Sequence, residues 1–283
     1  MTALDVEAEL RDILDNRDVA RLTGFLAEHP GLATTRARSW CDHEHGVGLL
    51  EYMAMLRFDH ARLGLPRDLP GTGAVARALI DAGAPVDAQP GDRETPLITA
   101  ASYGDADVAQ VLIEAGADIE AVSTPDSGGV PNGTALLHAA VFGMTEVLDL
   151  LVAAGAHVDS LEMAAAAGDV SAWPLAAADE QSRLRALVFA ADHQRLEVID
   201  QLVDAGTPLD QADARWQRMP LHVAAEHGRP ASVLRLLAHG ADPDVRDPQH
   251  HRKPLEWCRP ANRYLDSPAH DEVEAILRPL TRQ

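Results

Sequence analysis

The chain has 283 residues and a formal net charge of −20, from 24 Lys and Arg against 44 Asp and Glu. A surface of that sign repels phosphate backbones and anionic headgroups, so the composition argues against nucleic-acid and membrane partners. Two distant cysteines, Cys41 and Cys258, make no disulfide framework, no stretch reaches the roughly 18 apolar residues of a membrane span, and a cytoplasmic location is expected.

In chain order, residues 4–33 read as an N-terminal helical cap. Leu10, Ile13 and Leu14, then Val19, Leu22 and Leu26, fall on apolar helix faces, and Asp18 suits an N-cap. Next comes Cys41-Asp-His43-Glu-His45, where extended alternation would put Cys41, His43 and His45 on one side. With a fourth ligand such as His60 a zinc site is conceivable, but the paired spacing of strong zinc motifs is missing. The segment reads as a polar loop, and neither metal nor cofactor is expected.

A helix begins near Gly48-Leu-Leu-Glu-Tyr-Met-Ala-Met-Leu56, an interruption is expected over 57–71, and Val75-Ala-Arg-Ala-Leu-Ile80 resumes the pattern. Residues 123–133, rich in Gly, Pro, Ser and Asn, form a turn-rich insertion. A second insertion, 161–180, is expected to hold two extra short helices, Leu161–Gly168 and Ala172–Ala178. Residues 248–283 read as a worn terminal repeat and its closing cap.

Between these punctuation marks the chain repeats itself. Asp81-Ala-Gly-Ala-Pro-Val-Asp-Ala88, Glu114-Ala-Gly-Ala-Asp-Ile-Glu-Ala121, Ala153-Ala-Gly-Ala-His-Val-Asp-Ser160, Asp204-Ala-Gly-Thr-Pro-Leu-Asp-Gln211 and Ala238-His-Gly-Ala-Asp-Pro-Asp-Val245 are one phrase, with glycines spaced by 33, 39, 51 and 34. Its companion is Thr95-Pro-Leu-Ile-Thr-Ala-Ala-Ser-Tyr-Gly104, matched by Thr134–Gly143, Arg185–Gln194 and Met219–Gly228. Pro at a first helical position costs no hydrogen bond, paired alanines let short helices lie close, and the glycines suit left-handed C-caps.

The chain thus resembles the ankyrin repeat, whose pattern runs Thr-Pro-Leu-His-x-Ala-Ala-x-x-Gly, a second helix, then Gly-Ala-Asp. The resemblance implies an all-α ankyrin-repeat solenoid of antiparallel helix pairs with projecting fingers. On this reading 1–283 is a single array: cap 4–33, interior repeats 46–247, and the degenerate end 248–283. Such arrays are used mainly for binding, so a non-catalytic protein-binding module with an unidentified protein partner, itself a monomer, is the expected function.

The resemblance also assigns a groove. The two positions before the first-helix glycine face the concave side in ankyrin repeats, which selects Ser102 and Tyr103, Val141 and Phe142, Asp192 and His193, and Glu226 and His227. Trp216 and Arg218, on the finger Asp213–Arg218, add a composition common in binding hot spots. His222 occupies the Thr-Pro-Leu-His position, where the family role is hydrogen bonding between turns. Two alternatives stand beside this: an enzyme using Asp192, His193, Glu226 and His227 for acid–base work, and a regulatory or neutralising subunit. No nucleophile elbow, phosphate loop or dinucleotide motif accompanies the enzyme reading.

Overall fold

The computed structural model describes residues 3–37, 40, 46–63, 69–258 and 267–282, with backbone alone at 3–4 and 57–63. Contacts divide the chain, read above as one array, into two compact units, residues 1–157 and 158–283. Among the described residues no helix is long and apolar enough to cross a membrane.

The first unit begins with a helix pair, α1 (Ala3–Asn16) and α2 (Val19–Glu28), and Asp18 caps α2 by accepting the Arg21 N–H at 3.0 Å. A two-residue antiparallel ladder that the sequence did not signal follows, β1 (Arg36–Ala37) on β2 (Val47–Gly48), with Arg36 opposite Gly48. Then come α3 (Leu49–Leu63), α4 (Thr72–Asp81), α5 (Pro96–Tyr103), α6 (Ala106–Glu114), α7 (Ala135–Val141) and α8 (Thr145–Ala153). The first helices α3, α5 and α7 stack in one layer and the second helices α4, α6 and α8 in another. Helix α3 runs seven residues into the expected interruption, because neither Gly nor Pro appears between Leu49 and Leu63 to stop it.

Local chemistry accounts for these helices. Thr95 and Thr134 accept the N–H groups of Ile98 and Leu137 at 3.1 and 3.3 Å, and Asp105 caps α6 through Val108 at 3.0 Å. Gly104 closes α5 at φ +75°, and a Cβ there would lie 2.6 Å from Met144 Sδ, so both conformation and crowding demand glycine. Leu79, Leu97, Val108, Leu112, Val147 and Leu151 have no exposed surface and fill the space between the layers.

The second unit contains α9 (Leu161–Ala167), α10 (Glu180–Asp192), α11 (Leu196–Asp204), α12 (Pro220–Glu226), α13 (Pro230–Ala238), α14 (Pro254–Trp257) and α15 (Pro268–Leu277). Of the two helices expected within 161–180 only the first forms. Residues 168–179 are turns, with Pro174 amid Ala172–Ala178, and they pack Val170, Trp173, Leu175 and Ala178 onto the core. Layers α10–α12–α14 and α11–α13–α15 enclose Leu187, Ile199, Leu202, Leu221, Leu236, Val273 and Leu277. Gln194 takes the glycine position at the end of α10 with φ +56°.

In each unit the repeats are also joined by a carboxylate ladder. The acidic residue that closes one Gly-Ala-x-x-Asp phrase accepts a backbone N–H from the next. Asp87 receives Asp118 N–H at 2.9 Å and Glu120 receives His157 N–H at 2.9 Å in the first unit. Asp210 receives Asp242 N–H at 3.0 Å and Asp244 receives Arg282 N–H at 3.0 Å in the second. Pro208 holds the donor position in its phrase and has no N–H, so the rung that Asp159 would complete is missing. Part of the large acidic excess is therefore structural.

Candidate partner-binding surface

In the first unit, the ends of α5 and α7 carry Ser102 with Tyr103 and Val141 with Phe142, all half-buried. Ser102 does not face solvent alone. Its Oγ lies 2.8 Å from Nδ1 of His138, a fully buried side chain whose Nε2 lies 3.0 Å from the Val130 carbonyl. Burial lowers the His138 pKa against the opposing pull of Glu94, and Nε2 donates to the carbonyl, while the Ser102 hydroxyl at Nδ1 also reaches the Ile98 carbonyl at 3.0 Å. Ser102 thereby ties one repeat to the next and to the 123–133 finger. Phe142 sits 6.0 Å, centroid to centroid, from the same imidazole, with the rest of its surface outward.

In the second unit the corresponding positions behave differently. Asp192 and His193 are 0 % and 1 % exposed, not groove-facing as expected. The reason is electrostatic. Arg218 Nη2 reaches Asp192 at 3.0 Å from the finger, and His227 Nδ1 reaches its other oxygen from the end of α12. Burial alone would raise the Asp192 pKa, but the neighbouring His227 ring and Arg218 guanidinium outweigh it and hold the carboxyl well below the usual carboxylate range. Arg218 and His227 are correspondingly drawn inward. Glu226 stays half-buried and uses its carbonyl to accept His270 Nε2 at 2.8 Å.

The fingers of this unit share one construction. Asp213, fully buried, accepts the N–H groups of Arg215, Trp216 and Arg218 at 2.9, 2.7 and 2.9 Å. Asp247, 3 % exposed, does the same for Gln249, His250 and Arg252 at 3.0, 2.6 and 2.8 Å, and takes the Trp257 indole N–H at 3.1 Å. Gln217 and His251 turn the chain at φ +55° in both. The His222 ring bridges the fingers' repeats, Nε2 donating to the Arg252 carbonyl at 2.9 Å. Trp216 is half-exposed with the Arg215 guanidinium 4.8 Å above its ring; Trp40 is buried, and the half-buried Trp173 and Trp257 pack against the core and against His222 respectively.

Cys41, His43 and His45 lie outside the described residues, as does the His60 side chain. Among the described residues, no group of three His, Cys, Asp or Glu is placed to hold a metal. Sequence reasoning missed the inward use of Asp192 and the part played by His138. The one available signal was the recurrence of Asp six residues before Met219 and Lys253, which marks the finger scaffolds.

No curated protein matches this sequence. Among solved structures, the fold resembles the crystal structure of the human ASB11 ankyrin repeat domain, 19% identical, over 97% of this chain and 98% of that one, with a TM-score of 0.44. The family described as "Ankyrin repeats (3 copies)" matches residues 71–162 and again 161–247, the stretches that contain the repeated phrases. By its sequence phrases and by its stacked helix pairs, the chain belongs to the ankyrin repeat family.

Proposed function

We propose that this protein is a non-catalytic module that binds a protein partner through Tyr103, Val141 and Phe142 in the first unit and through Trp216 and Glu226 in the second. Ankyrin repeats generally serve as protein–protein interaction modules. The observation that supports these particular positions is the half-exposure of Tyr103 and Phe142 at equivalent places on α5 and α7, whose preceding residues 96–101 and 138–140 are buried. Aromatic side chains left at a surface supply large contact area at small entropic cost. Ser102, Asp192, His193, Arg218 and His227 then act beneath the surface as its support.

Catalysis by the Asp192, His193, Glu226 and His227 group is disfavoured on electrostatic grounds. A carboxylate held ionised by the His227 ring and the Arg218 guanidinium is a weak base and no acid near neutral pH. A regulatory or neutralising role would use the same contacts.

The test is site-specific photocrosslinking from position 103 to capture the partner, followed by calorimetry. Tyr103→Ala/Phe142→Ala should weaken binding by about 2 kcal/mol or more, while Gln110→Ala, on the exposed side of α6, should leave it unchanged. Unchanged affinity in the double variant together with a loss in Gln110→Ala would place binding on the opposite face.

A further inference from the structure

The second unit's fingers carry a charge opposite to that of the chain. Each finger contains an aspartate, but Asp213 and Asp247 are buried and accept backbone N–H groups. What remains outward is cationic or aromatic: Arg215, Arg246 and Arg252 are exposed, His250 and His251 are exposed, and Trp216 is half-exposed beneath Arg215. Arg246 and Arg252 are held together on one finger, since Arg246 Nη1 donates to the His251 carbonyl at 2.6 Å. The two fingers belong to consecutive repeats joined by His222.

Lys253 is occupied by Asp244 at 2.7 Å, Glu256 accepts the Lys253 N–H at 2.7 Å, and Asp179 caps Ser182 at 2.9 Å. Glu180 stays exposed at the start of α10, beside the first finger, where Gln181 accepts the Ala214 N–H. These carboxylates stand at the flanks, and the outermost charged groups of the two fingers themselves are three guanidiniums.

We infer that this finger face docks an acidic segment of the partner protein, its carboxylates meeting Arg215, Arg246 and Arg252 and an apolar side chain meeting Trp216. The inference rests on the protein-binding reading above and adds the partner's chemistry. Guanidiniums present a planar fork suited to carboxylates, and a stacked Arg–Trp pair offers apolar area alongside charge. A nucleic acid would meet the rest of a −20 chain at long range, whereas a short acidic segment needs only the local field, which falls off over about 10 Å at 0.1 M salt.

The probe is a fluorescein-labelled deca-glutamate peptide, titrated into the full chain at 50 mM salt, with deca-lysine and a single-stranded decanucleotide in parallel. Deca-glutamate is expected to bind in spite of the like net charge, to shift Trp216 emission, and to lose at least tenfold in affinity in Arg215→Glu/Arg252→Glu, whose side chains are exposed and whose unchanged thermal melt confirms folding. No binding, binding indifferent to the charge reversals, or preference for deca-lysine overturns the inference. Tighter binding of the oligonucleotide than of deca-glutamate overturns it in favour of nucleic acid. The two readings separate on the crosslinked partner. Affinity that falls with Tyr103→Ala/Phe142→Ala but not with the charge reversals removes only the acidic-segment inference.

Discussion

The two units solve one problem, a carboxylate in a dry environment, in opposite ways. In the second unit Asp192 is buried between Arg218 and His227 and stays ionised. In the first, Glu51 on α3 is 7 % exposed and accepts the Gly48 N–H at 2.7 Å, but its nearest cation, Arg36, is turned to Asp92. Burial first, then the like charges of Asp92 and Glu94, push Glu51 up to about 7 against the pull of that N–H and Arg36. The units' overall charge follows the same division. Residues 1–157 hold 10 Lys and Arg against 24 Asp and Glu, net −14, and residues 158–283 hold 14 against 20, net −6. Where cations are scarce, a buried carboxylate takes a proton; where they are at hand, it takes partners.

The largest expected effect comes from breaking the paired solution. Asp192→Ala leaves Arg218 and His227 facing a buried site without their counter-charge, and should cost about 3–5 kcal/mol. Three of the four tryptophans, Trp173, Trp216 and Trp257, lie in the second unit, so urea melts followed by tryptophan fluorescence report this loss. A melt within about 0.5 kcal/mol of the parent would mean that the triad is incidental to folding.

The unpaired solution predicts a pH dependence. Because the folded Glu51 holds its proton to about pH 7 while the unfolded one releases it near 4.5, the folded state binds more protons between those values. Stability contributed by that proton is complete below about 4.5 and is lost as pH rises to 7. Asp192 has the opposite sign, since its lowered pKa costs stability only when pH falls below about 3.8. Glu51→Gln keeps an acceptor for Gly48 and removes the ionisation, so it should stabilise the first unit at pH 8 by about 2–3 kcal/mol and flatten its profile from pH 5 to 8. A variant whose melts keep the parent slope would assign that slope to another group.

How much of this was legible follows from where each signal sits. The repeat phrases, the N-cap at Asp18, the proline-started helices and the helix-ending glycines all lie within ten residues of the structure they specify, and local chemistry reads directly from local sequence. Asp192 failed that test. Its partners stand 26 and 35 residues downstream, and its position in the repeat is a variable one, so nothing nearby announced that it would be covered. Residues 172–178 failed differently, because an alanine-rich run suggests helix by propensity while Pro174 and tertiary packing of Trp173 and Leu175 decide for turns. The finger face was half-legible: Trp216 between arginines was visible, but the inward rotation of both aspartates was not.

The smallest effect is the sharpest comparison between units, because the ladder is shared. Asp87 and Asp210 are both exposed and accept one N–H each, from Asp118 and Asp242. Hydrogen bonds of this kind contribute about 0.5–1.5 kcal/mol, so Asp87→Ala and Asp210→Ala should each cost roughly 1 kcal/mol. The bond itself is common to both, yet the surroundings differ: burial and the charge of Asp242 raise the Asp210 pKa, so the ionised form is less at ease there. Asp210→Asn, which retains the acceptor and sheds the charge, should therefore be neutral or slightly stabilising at pH 8, and Asp87→Asn should gain nothing. Hydrogen exchange at the Asp118 and Asp242 amides reads each rung separately. Unaltered protection of both amides in the alanine variants would show that the rungs follow from repeat stacking and do not help to hold it.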